Sequence, residues 1–298
     1  MTRGKLFLVI SAFFYGVLPI LASIAYRGGI NGVTLSFLRS SMSVPILYIM
    51  IKADKKSLKL TRKQIKSIIN LAVIGGALPI VLLYLSYNYI PTGLATTLHF
   101  IYPLVIVLVS AILYHERMSR LTLCSVLLVT IGIFMFSDIS VKVSKVGIIL
   151  ALLSGIFYSF YVIYMDRTSL DRMDYTVLTF YVMLIMSIAI LVFGLITRII
   201  SFSFSPLSWS FGAIISLITT LGAMPLLQIG IRYEGASTAG IISTVEPITT
   251  IILGAAFLGE IVGTGQIIGG ALIIFGVLLS QRKQDKRFSH KLVLMRLH

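Results

Sequence analysis

The chain has 298 residues, of which 57% are hydrophobic and only 12% charged, and its formal net charge is +15. Soluble domains carry about 25% charged residues, so this composition excludes an ordinary water-soluble domain and indicates a chain whose solvent is lipid. The single cysteine, Cys124, excludes an internal disulfide framework.

The predicted elements are apolar segments long enough to cross a bilayer as helices. Runs such as LAVIGGALPIVLLYL lack the alternation of a barrel strand. Because a spanning helix needs roughly 20 apolar residues, we expect about ten spans. In chain order they lie at 5–25, 33–52, 67–89, 91–113, 119–137, 146–164, 175–197, 208–231, 235–257 and 261–281. The first follows two basic residues, as a signal peptide would, but its apolar run is long enough to remain as a span.

The basic charge is distributed according to membrane topology. An even number of spans places both termini on one side. If that side is the cytoplasm, it receives 20 of the 25 Lys and Arg, the other side receives 4, and Arg39 lies inside span 2. This is the positive-inside distribution, and it would also attract anionic lipids, so nucleic-acid binding is not required. We therefore expect a multi-pass protein of the bacterial cytoplasmic (inner) membrane, with cytoplasmic termini and a basic cytoplasmic tail at 282–298.

The chain contains an internal repeat. SAFFYG at 11–16 matches SGIFYS at 154–159, and the spacing of Pro103, Glu116 and Gly132 recurs in Pro247, Glu260 and Gly276. Each half, 1–137 and 146–281, holds five predicted spans, and an odd number inverts the second half relative to the first. The predicted fold is an all-α membrane protein made of two inverted five-helix repeats. Such repeats are typical of secondary transporters, with the substrate site near the bilayer midplane.

A family resemblance rests on these same motifs. The Tyr102–Pro103 and Glu246–Pro247 steps, the glutamate after each of those spans and the five-plus-five plan resemble the EamA family of the drug/metabolite transporter superfamily. The resemblance extends to about residue 281. It implies a transporter of amino acids, other metabolites or drugs, without cofactors, and it implies export more than uptake.

Glu246 is the acidic residue that falls in the middle of a span. A carboxylate at a helix centre costs about 2.5–3.5 kcal/mol on insertion scales, so such groups face a cavity, pair with a cation or are protonated. Ser243, Glu246 and Thr250 share one helix face. We expect these three residues to bind substrate and Glu246 to be a candidate for proton coupling. The alternative is a structural hydrogen bond to a neighbouring helix.

The repeat alignment extends this site to span 4. It sets Tyr102 opposite Glu246 and His99 opposite Ser243, so the two faces lie at the same depth. Prolines Pro103 and Pro247 would free the carbonyls of His99 and Ser243 for a polar substrate, or would only kink the helices. We expect His99 and Tyr102 to bind substrate. A buried hydrogen-bonding histidine is the alternative for His99.

The remaining candidates are one cation and several tyrosines. Arg39 could bind a substrate carboxylate, pair with Glu246 or extend towards the outer surface. Tyr15 and Tyr158 are matched by the repeat, and Tyr84 could join them in an aromatic pocket, although each alone could be a packing residue. Glu116 and Glu260 are interpreted as turn residues.

The motifs that would indicate another class are missing from the sequence. There is no phosphate-binding Gly-rich loop, no cysteine or histidine cluster for a metal and no dinucleotide fingerprint. We therefore expect a non-enzymatic secondary transporter of small zwitterionic or amphipathic metabolites such as amino acids, without cofactor or metal and functional as a monomer. Its partners would be the small-molecule substrate, protons and anionic lipids. A passive facilitator or channel, or a membrane-embedded lipid-modifying enzyme, are the alternatives.

Overall fold

The structure is a computed structural model that describes residues 2–90, 92–116, 118–135, 144–168, 170, 173–259 and 262–281. Ten helical elements are found within these ranges. They are α1 (Arg3–Tyr26), α2 (Gly32–Ala53), α3 (Arg62–Ser86), α4 (Thr92–His99 and Tyr102–Ile112), α5 (Arg120–Phe134), α6 (Lys145–Arg167), α7 (Tyr175–Ile196), α8 (Pro206–Glu234), α9 (Ala236–Leu258) and α10 (Thr264–Gln281).

The expected all-α membrane fold is confirmed. Among the described residues, eight helices are long and apolar enough to cross a membrane, and two further apolar helices, α5 and 267–279 within α10, are shorter. The two short helices pack against each other through glycines. Gly132 lies against the Gly269 carbonyl, and Gly276 lies against the Ser125 carbonyl, a close approach that small residues permit between membrane helices.

Helix α3 begins earlier than the hydropathy pattern predicts, at Arg62 rather than at residue 67. The reason is a capping box: the Thr61 side chain accepts from the Gln64 amide, and the Gln64 side chain accepts from the Thr61 amide. Polar caps of this kind extend a helix beyond its apolar stretch. The added turn is basic and lies just outside the apolar segment.

The helix contacts repeat between the two halves. α1 packs on α8 and α9, and the equivalent helix α6 packs on α3 and α4. α2 contacts α7, α4 contacts α9 and α5 contacts α10, each a pairing of equivalent helices. Exchanging every helix for its repeat equivalent therefore returns the main contacts, but the contacts of α6 with α8 and α9 have no equally extensive counterpart between α1 and α3 or α4.

Proline breaks the helices at matched places. A π-helical turn precedes Pro79 in α3 (Leu71–Ala77) and Pro225 in α8 (Thr219–Ala223). α4 is interrupted between His99 and Tyr102, and α9 is interrupted at Thr244. Proline cannot donate the usual backbone hydrogen bond, so wider turns and breaks accommodate it. The breaks in α4 and α9 set new helix starts deep inside the bundle.

Candidate functional site

A central site is formed where α1, α4, α6 and α9 meet. Tyr15, His99, Tyr158 and Glu246, one from each helix, are half-buried at positions well inside their helices, and the Tyr158 ring contacts His99 and lies in electrostatic reach of Tyr15 and Glu246. Partial access at such depth indicates an internal cavity rather than a lipid-facing surface. The structure thus brings these four sequence-predicted residues to one place.

Glycines allow the helices to approach closely at this cavity. A Cβ added at Gly16 of α1 would lie 2.5 Å from the Thr249 Cβ and 2.7 Å from the Glu246 carbonyl oxygen in α9. Gly155 of α6 lies against the His99 carbonyl, so this carbonyl faces helix α6 and not an open space, in contrast to the expectation from Pro103. The close approaches fix the backbone positions of Glu246 and His99.

The break in α9 places Glu246 at a helix start. It lies in the first turn of the segment Val245–Leu253, where the unpaired amide groups favour a negative charge. Its repeat equivalent, Tyr102, begins the second segment of α4 in the same way. The sequence alone could not reveal this, because both segments have the hydropathy of one continuous span.

Arg39 of α2 and Glu246 lie within electrostatic reach of each other. Among the described residues, however, neither forms a salt bridge. The Nε atom of Arg39 is buried without a hydrogen-bond partner. A buried donor without an acceptor is unusual and costs free energy. The cavity therefore offers a cation and an acid that do not satisfy each other.

The aromatic wall of the cavity combines rings from α4 and α6. Tyr102 and Tyr158 meet edge to face with centroids 4.8 Å apart, and the His99 ring lies 5.5 Å from Tyr158 and 5.7 Å from Tyr102. The hydroxyl of Tyr102 is buried without a partner, and Ser243 lies beside it. Tyr15, Tyr102 and Tyr158 are all in electrostatic reach of Glu246.

A hydrogen-bonded chain runs from His99 to α3. The Nδ1 atom of His99 lies 2.7 Å from Ser154 Oγ, and that hydroxyl donates to the carbonyl of Pro79 at 2.9 Å. Ser11, the repeat equivalent of Ser154, donates to the carbonyl of Ala223 in α8 at 2.6 Å. The two repeats thus share the serine, and only one of them adds a histidine.

Two predicted binding residues occupy other surroundings. The hydroxyl of Thr250 donates to the Gly16 carbonyl at 3.0 Å, which joins α9 to α1. Tyr84 packs on Gly32 and stands edge to face with Tyr87 at 5.4 Å, in a group that also includes Tyr26. This group lies at the end of the bundle away from the chain termini. Any part that Thr250 or Tyr84 plays in binding stays a prediction.

Gln228 of α8 is a buried polar residue that sequence reasoning missed. It donates to the hydroxyl of Tyr161 at 3.2 Å and accepts from Thr179 at 3.0 Å, and so connects α6, α7 and α8. A lone glutamine in an apolar span is its only sequence signal. Gln228 thereby positions Tyr161, whose ring stacks with that of Tyr158.

The cavity is closed at the end of the bundle that carries both termini. There the first segment of α9, Ala236–Ser243, is almost wholly buried, and Ile106 of α4, with 0% exposure, packs on Gly240. Leu8 of α1 and Tyr161 of α6 are also buried at this end. In the second segment of α9 only Pro247 and Thr249 are buried. The packing of α9 is therefore tighter at the terminal end than in its second segment.

A charged network covers the closed end. Arg167, at the end of α6, pairs with Glu116, which follows α4. Its Nε lies 3.5 Å from Asp166, and its guanidinium lies 4.4 Å from the Tyr114 ring centre. Ser237 of α9 donates to Glu116 at 3.4 Å. Glu116, interpreted from the sequence as a turn residue, thus joins α4, α6 and α9, whereas Glu260 lies outside the described residues.

Comparison with known proteins agrees with this architecture. The model of the EamA-like transporter family matches residues 2–138 and 145–281. An uncharacterized transporter of Synechocystis sp. is 31% identical over 206 residues, which cover 67% of this chain and 62% of that protein. An uncharacterized transporter of Archaeoglobus fulgidus is 26% identical over 191 residues, or 64% of this chain and 67% of that protein.

The fold is similar to that of a solved crystal structure. It superposes with a TM-score of 0.79 over 94% of this chain and 98% of that chain, at 15% sequence identity. At this identity the likeness concerns the fold alone. Together with the match of the family model to both halves, these findings establish that the chain is a multi-pass membrane protein and belongs to the EamA-like transporter family.

Proposed function

We propose that the protein is a secondary transporter that exports small zwitterionic metabolites, such as amino acids or related amphipathic compounds, across the bacterial cytoplasmic membrane. Membrane transport is the common property of the family and of the matched relatives. The substrate class, the direction and the mechanism that we propose go beyond this common property.

The observation that carries the substrate class is the separation of Arg39 from Glu246. The Nε atom of Arg39 lacks an acceptor, and Glu246 lies within its electrostatic reach but forms no salt bridge among the described residues; we infer that both groups face the cavity. A substrate with its own carboxylate and ammonium group would satisfy both, since opposite charges and hydrogen bonds favour such contacts in a site of low dielectric constant. The tyrosines would accommodate the apolar part of the same molecule.

Alternating access follows from the repeat. Ile106 packs on Gly240 at the terminal end and is fully buried, and we infer that the cavity opens at the other end. Because equivalent helices make equivalent contacts in both halves, the opposite state would close the other end by the same packing. The excess of Lys and Arg on the terminal side supports cytoplasmic termini. This structure would then be the outward-facing state.

The test is substrate flux in liposomes. Purified protein is reconstituted, and uptake of labelled amino acids is followed with and without unlabelled substrate on the other side, after a thermal-shift screen has ranked candidate ligands. We expect saturable flux accelerated by exchange, and we expect Arg39→Gln to raise KM about tenfold or more, as the loss of a charged hydrogen bond predicts. The exposed Arg198, changed to Gln, is the matched control.

Other outcomes identify the alternatives. Conductance that does not saturate would favour a channel, flux without coupling to any gradient would favour a facilitator, and chemical change of the lipid would favour an enzyme. Saturable flux that Arg39→Gln leaves unchanged would contradict the proposed site but not the transport.

A further inference from the structure

The chain His99–Ser154–Pro79 fixes the position of one proton. A serine hydroxyl has a single hydrogen, and that of Ser154 is donated to the Pro79 carbonyl, an atom that can only accept. The 2.7 Å contact with His99 must therefore be made by a lone pair of Ser154 Oγ. The donor in this contact is Nδ1–H of His99.

The other ring nitrogen then has a defined role. A histidine with a proton on Nδ1 is either charged, with a second donor at Nε2, or neutral, with an acceptor there. The ring of His99 is surrounded by the rings of Phe100, Tyr102 and Tyr158. Among the described residues it forms no ion pair with a carboxylate, so nothing in contact with it would stabilise a charge. The neutral form leaves Nε2 as an acceptor.

His99 and Glu246 belong to the same wall of the cavity. The His99 ring contacts the rings of Tyr102 and Tyr158. Glu246 lies within electrostatic reach of the same two tyrosines. The half-buried histidine keeps access to the cavity. The wall thus combines two groups. The carboxylate attracts any ammonium group, whether or not its nitrogen is methylated, whereas the neutral histidine nitrogen binds only a group that has an N–H donor.

We propose that His99 Nε2 accepts a hydrogen bond from the ammonium group of the substrate and so selects primary amines over N-methylated ones. The proposal rests on the proposed function and adds the group by which the substrate is chosen. A primary ammonium offers N–H donors, whereas a trimethylammonium keeps the charge and offers none. Glu246 and the tyrosine faces would attract either ammonium group, but only the primary ammonium could donate a hydrogen bond to His99 Nε2. Ser154 is the positioning residue that holds the tautomer.

The repeat argues that this is more than packing. Ser11 and Ser154 each bond a backbone carbonyl in the third helix of the other half, and the position that corresponds to His99 in the repeat alignment is Ser243. A histidine is therefore not required for the fold at this position. Its addition on one side only makes one half of the site different from the other.

The experiment compares an amino acid with its N,N,N-trimethyl analogue as competitors for flux in proteoliposomes. We expect the wild-type protein to prefer the primary amine by roughly tenfold or more, the worth of one hydrogen bond to a charged group. His99→Phe, which keeps an aromatic ring, should reduce this preference to nearly none. Ser154→Ala, which leaves the ring in place, should reduce it in part, while Ser11→Ala should not change it.

A second measurement does not depend on transport. ¹⁵N spectra of the histidine-labelled protein, with the His99 signals assigned by their loss in His99→Phe, should show a neutral ring protonated at Nδ1, and Ser154→Ala should disturb it. His115→Gln is the control for assignment.

The outcomes separate the inference from the proposed function. Saturable amino-acid flux in which His99→Phe keeps the wild-type preference would overturn the inference and leave the function intact, as would a ring protonated at Nε2. Absence of flux for every zwitterion would overturn the function and the inference with it. If His99→Phe does not fold, His99→Gln and Ser154→Ala provide the same comparison.

Discussion

Ser11 and Ser154 occupy equivalent positions in the two repeats and each donates to a backbone carbonyl of the other half, although the two acceptors are offset by two residues in the repeat alignment. Ser11 donates to Ala223 in α8 at 2.6 Å, and Ser154 donates to Pro79 in α3 at 2.9 Å. Each bond joins the first helix of one repeat to the third helix of the other, next to a π-helical turn or its proline. The halves are therefore tied to each other, and not only within themselves.

Removing the hydroxyl in Ser11→Ala should destabilise the protein without changing what it selects. Loss of a buried hydrogen bond costs about 1 kcal/mol, so the apparent Tm in detergent should fall by about 2–4 °C. The same loss is expected for Ser154→Ala, which should in addition weaken selection at His99. Equal effects of the two variants on substrate preference would contradict the assignment of Ser11 to stability alone and of Ser154 to both stability and selection.

Replacing the carboxylate in Glu246→Gln should remove coupling to protons. A carboxyl group in a span that can bind and release a proton is a proton-relay candidate, and glutamine has similar shape but cannot titrate. We expect substrate exchange to persist at saturating substrate, with a raised KM because the partner of the ammonium group is lost, while the dependence of net flux on a pH gradient disappears. Glu234→Gln, at the terminal end and outside the cavity, should retain that dependence. A Glu246→Gln protein that still responds fully to the gradient would refute the role.

Breaking the pair in Glu116→Gln or Arg167→Gln should open the terminal end more often. Partly exposed ion pairs contribute about 0.2–1 kcal/mol, so the open population should rise by a factor of about 1.4 to 5. The readout is the labelling rate of Ala239→Cys, a buried position in the first segment of α9, by an impermeant thiol reagent added on the terminal side in a Cys124→Ser background, which leaves the packing of Ile106 on Gly240 in place.

The control for this prediction is Asp54→Asn, which breaks a different ion pair at the same end. It should leave labelling unchanged. Labelling that is equally slow in all variants would show that packing at Gly240, and not the charges, holds this end closed.

The contact of Lys56 with Asp174 should make stability sensitive to acid. Burial alone would raise the pKa of Asp174, but hydrogen bonds from Lys56 and from the Val177 and Thr176 amides outweigh it and hold the pKa below its usual value. A carboxyl group with a lowered folded-state pKa stabilises the fold above its unfolded-state pKa, near 3.9. That contribution is lost as the pH falls through the folded-state pKa.

Asp174→Asn is the variant that tests this contact, because asparagine can still cap α7. Its apparent Tm should be lower than that of the wild type at pH 7, and the difference should shrink at acidic pH. Neutral Thr176→Val, which removes another contact of Lys56, should lower the Tm by an amount that does not depend on acid. A difference for Asp174→Asn that stays constant with pH would contradict the assignment.

The first turns of α3 should bind anionic lipid headgroups. Arg62, Lys63 and Lys66 are exposed beside the exposed side chains of Ile65 and Ile69, an arrangement suited to the membrane surface. Each cation near an anionic surface contributes about 1 kcal/mol. Changing the three cations to Gln should reduce the activating or stabilising effect of anionic lipid in liposomes. The same response in neutral lipid, or no change in either, would exclude the role.

Much of the fold could be predicted from the sequence, because hydropathy and repetition are regular signals. The ten spans, the two-repeat plan and the common depth of Glu246 and Tyr102 follow from them. The helix breaks at His99–Tyr102 and at Thr244 could not be located, since both segments are apolar throughout. The Glu116–Arg167 pair was hidden as well, because it joins residues 51 positions apart through the packing of α4 on α6.

The side-chain partners were the least predictable part of the site. Thr250 shares a helix face with Glu246 on a regular helix, but its hydroxyl is used by the Gly16 carbonyl. Tyr84 has the same chemistry as Tyr15, but it lies with Tyr26 and Tyr87. A single sequence gives residue types and approximate depth, whereas neighbours on other helices depend on the final packing.

Because Ile106 and Gly240 close one end of the bundle, we expect inhibitors to act from only one side of the membrane. In the state that is closed at the terminal end, a competitor too large to be occluded would enter only from the side opposite the termini. Once bound, it would hold the transporter in that state. Blockade in oriented vesicles should then be one-sided, and the effective side would report the orientation of the chain.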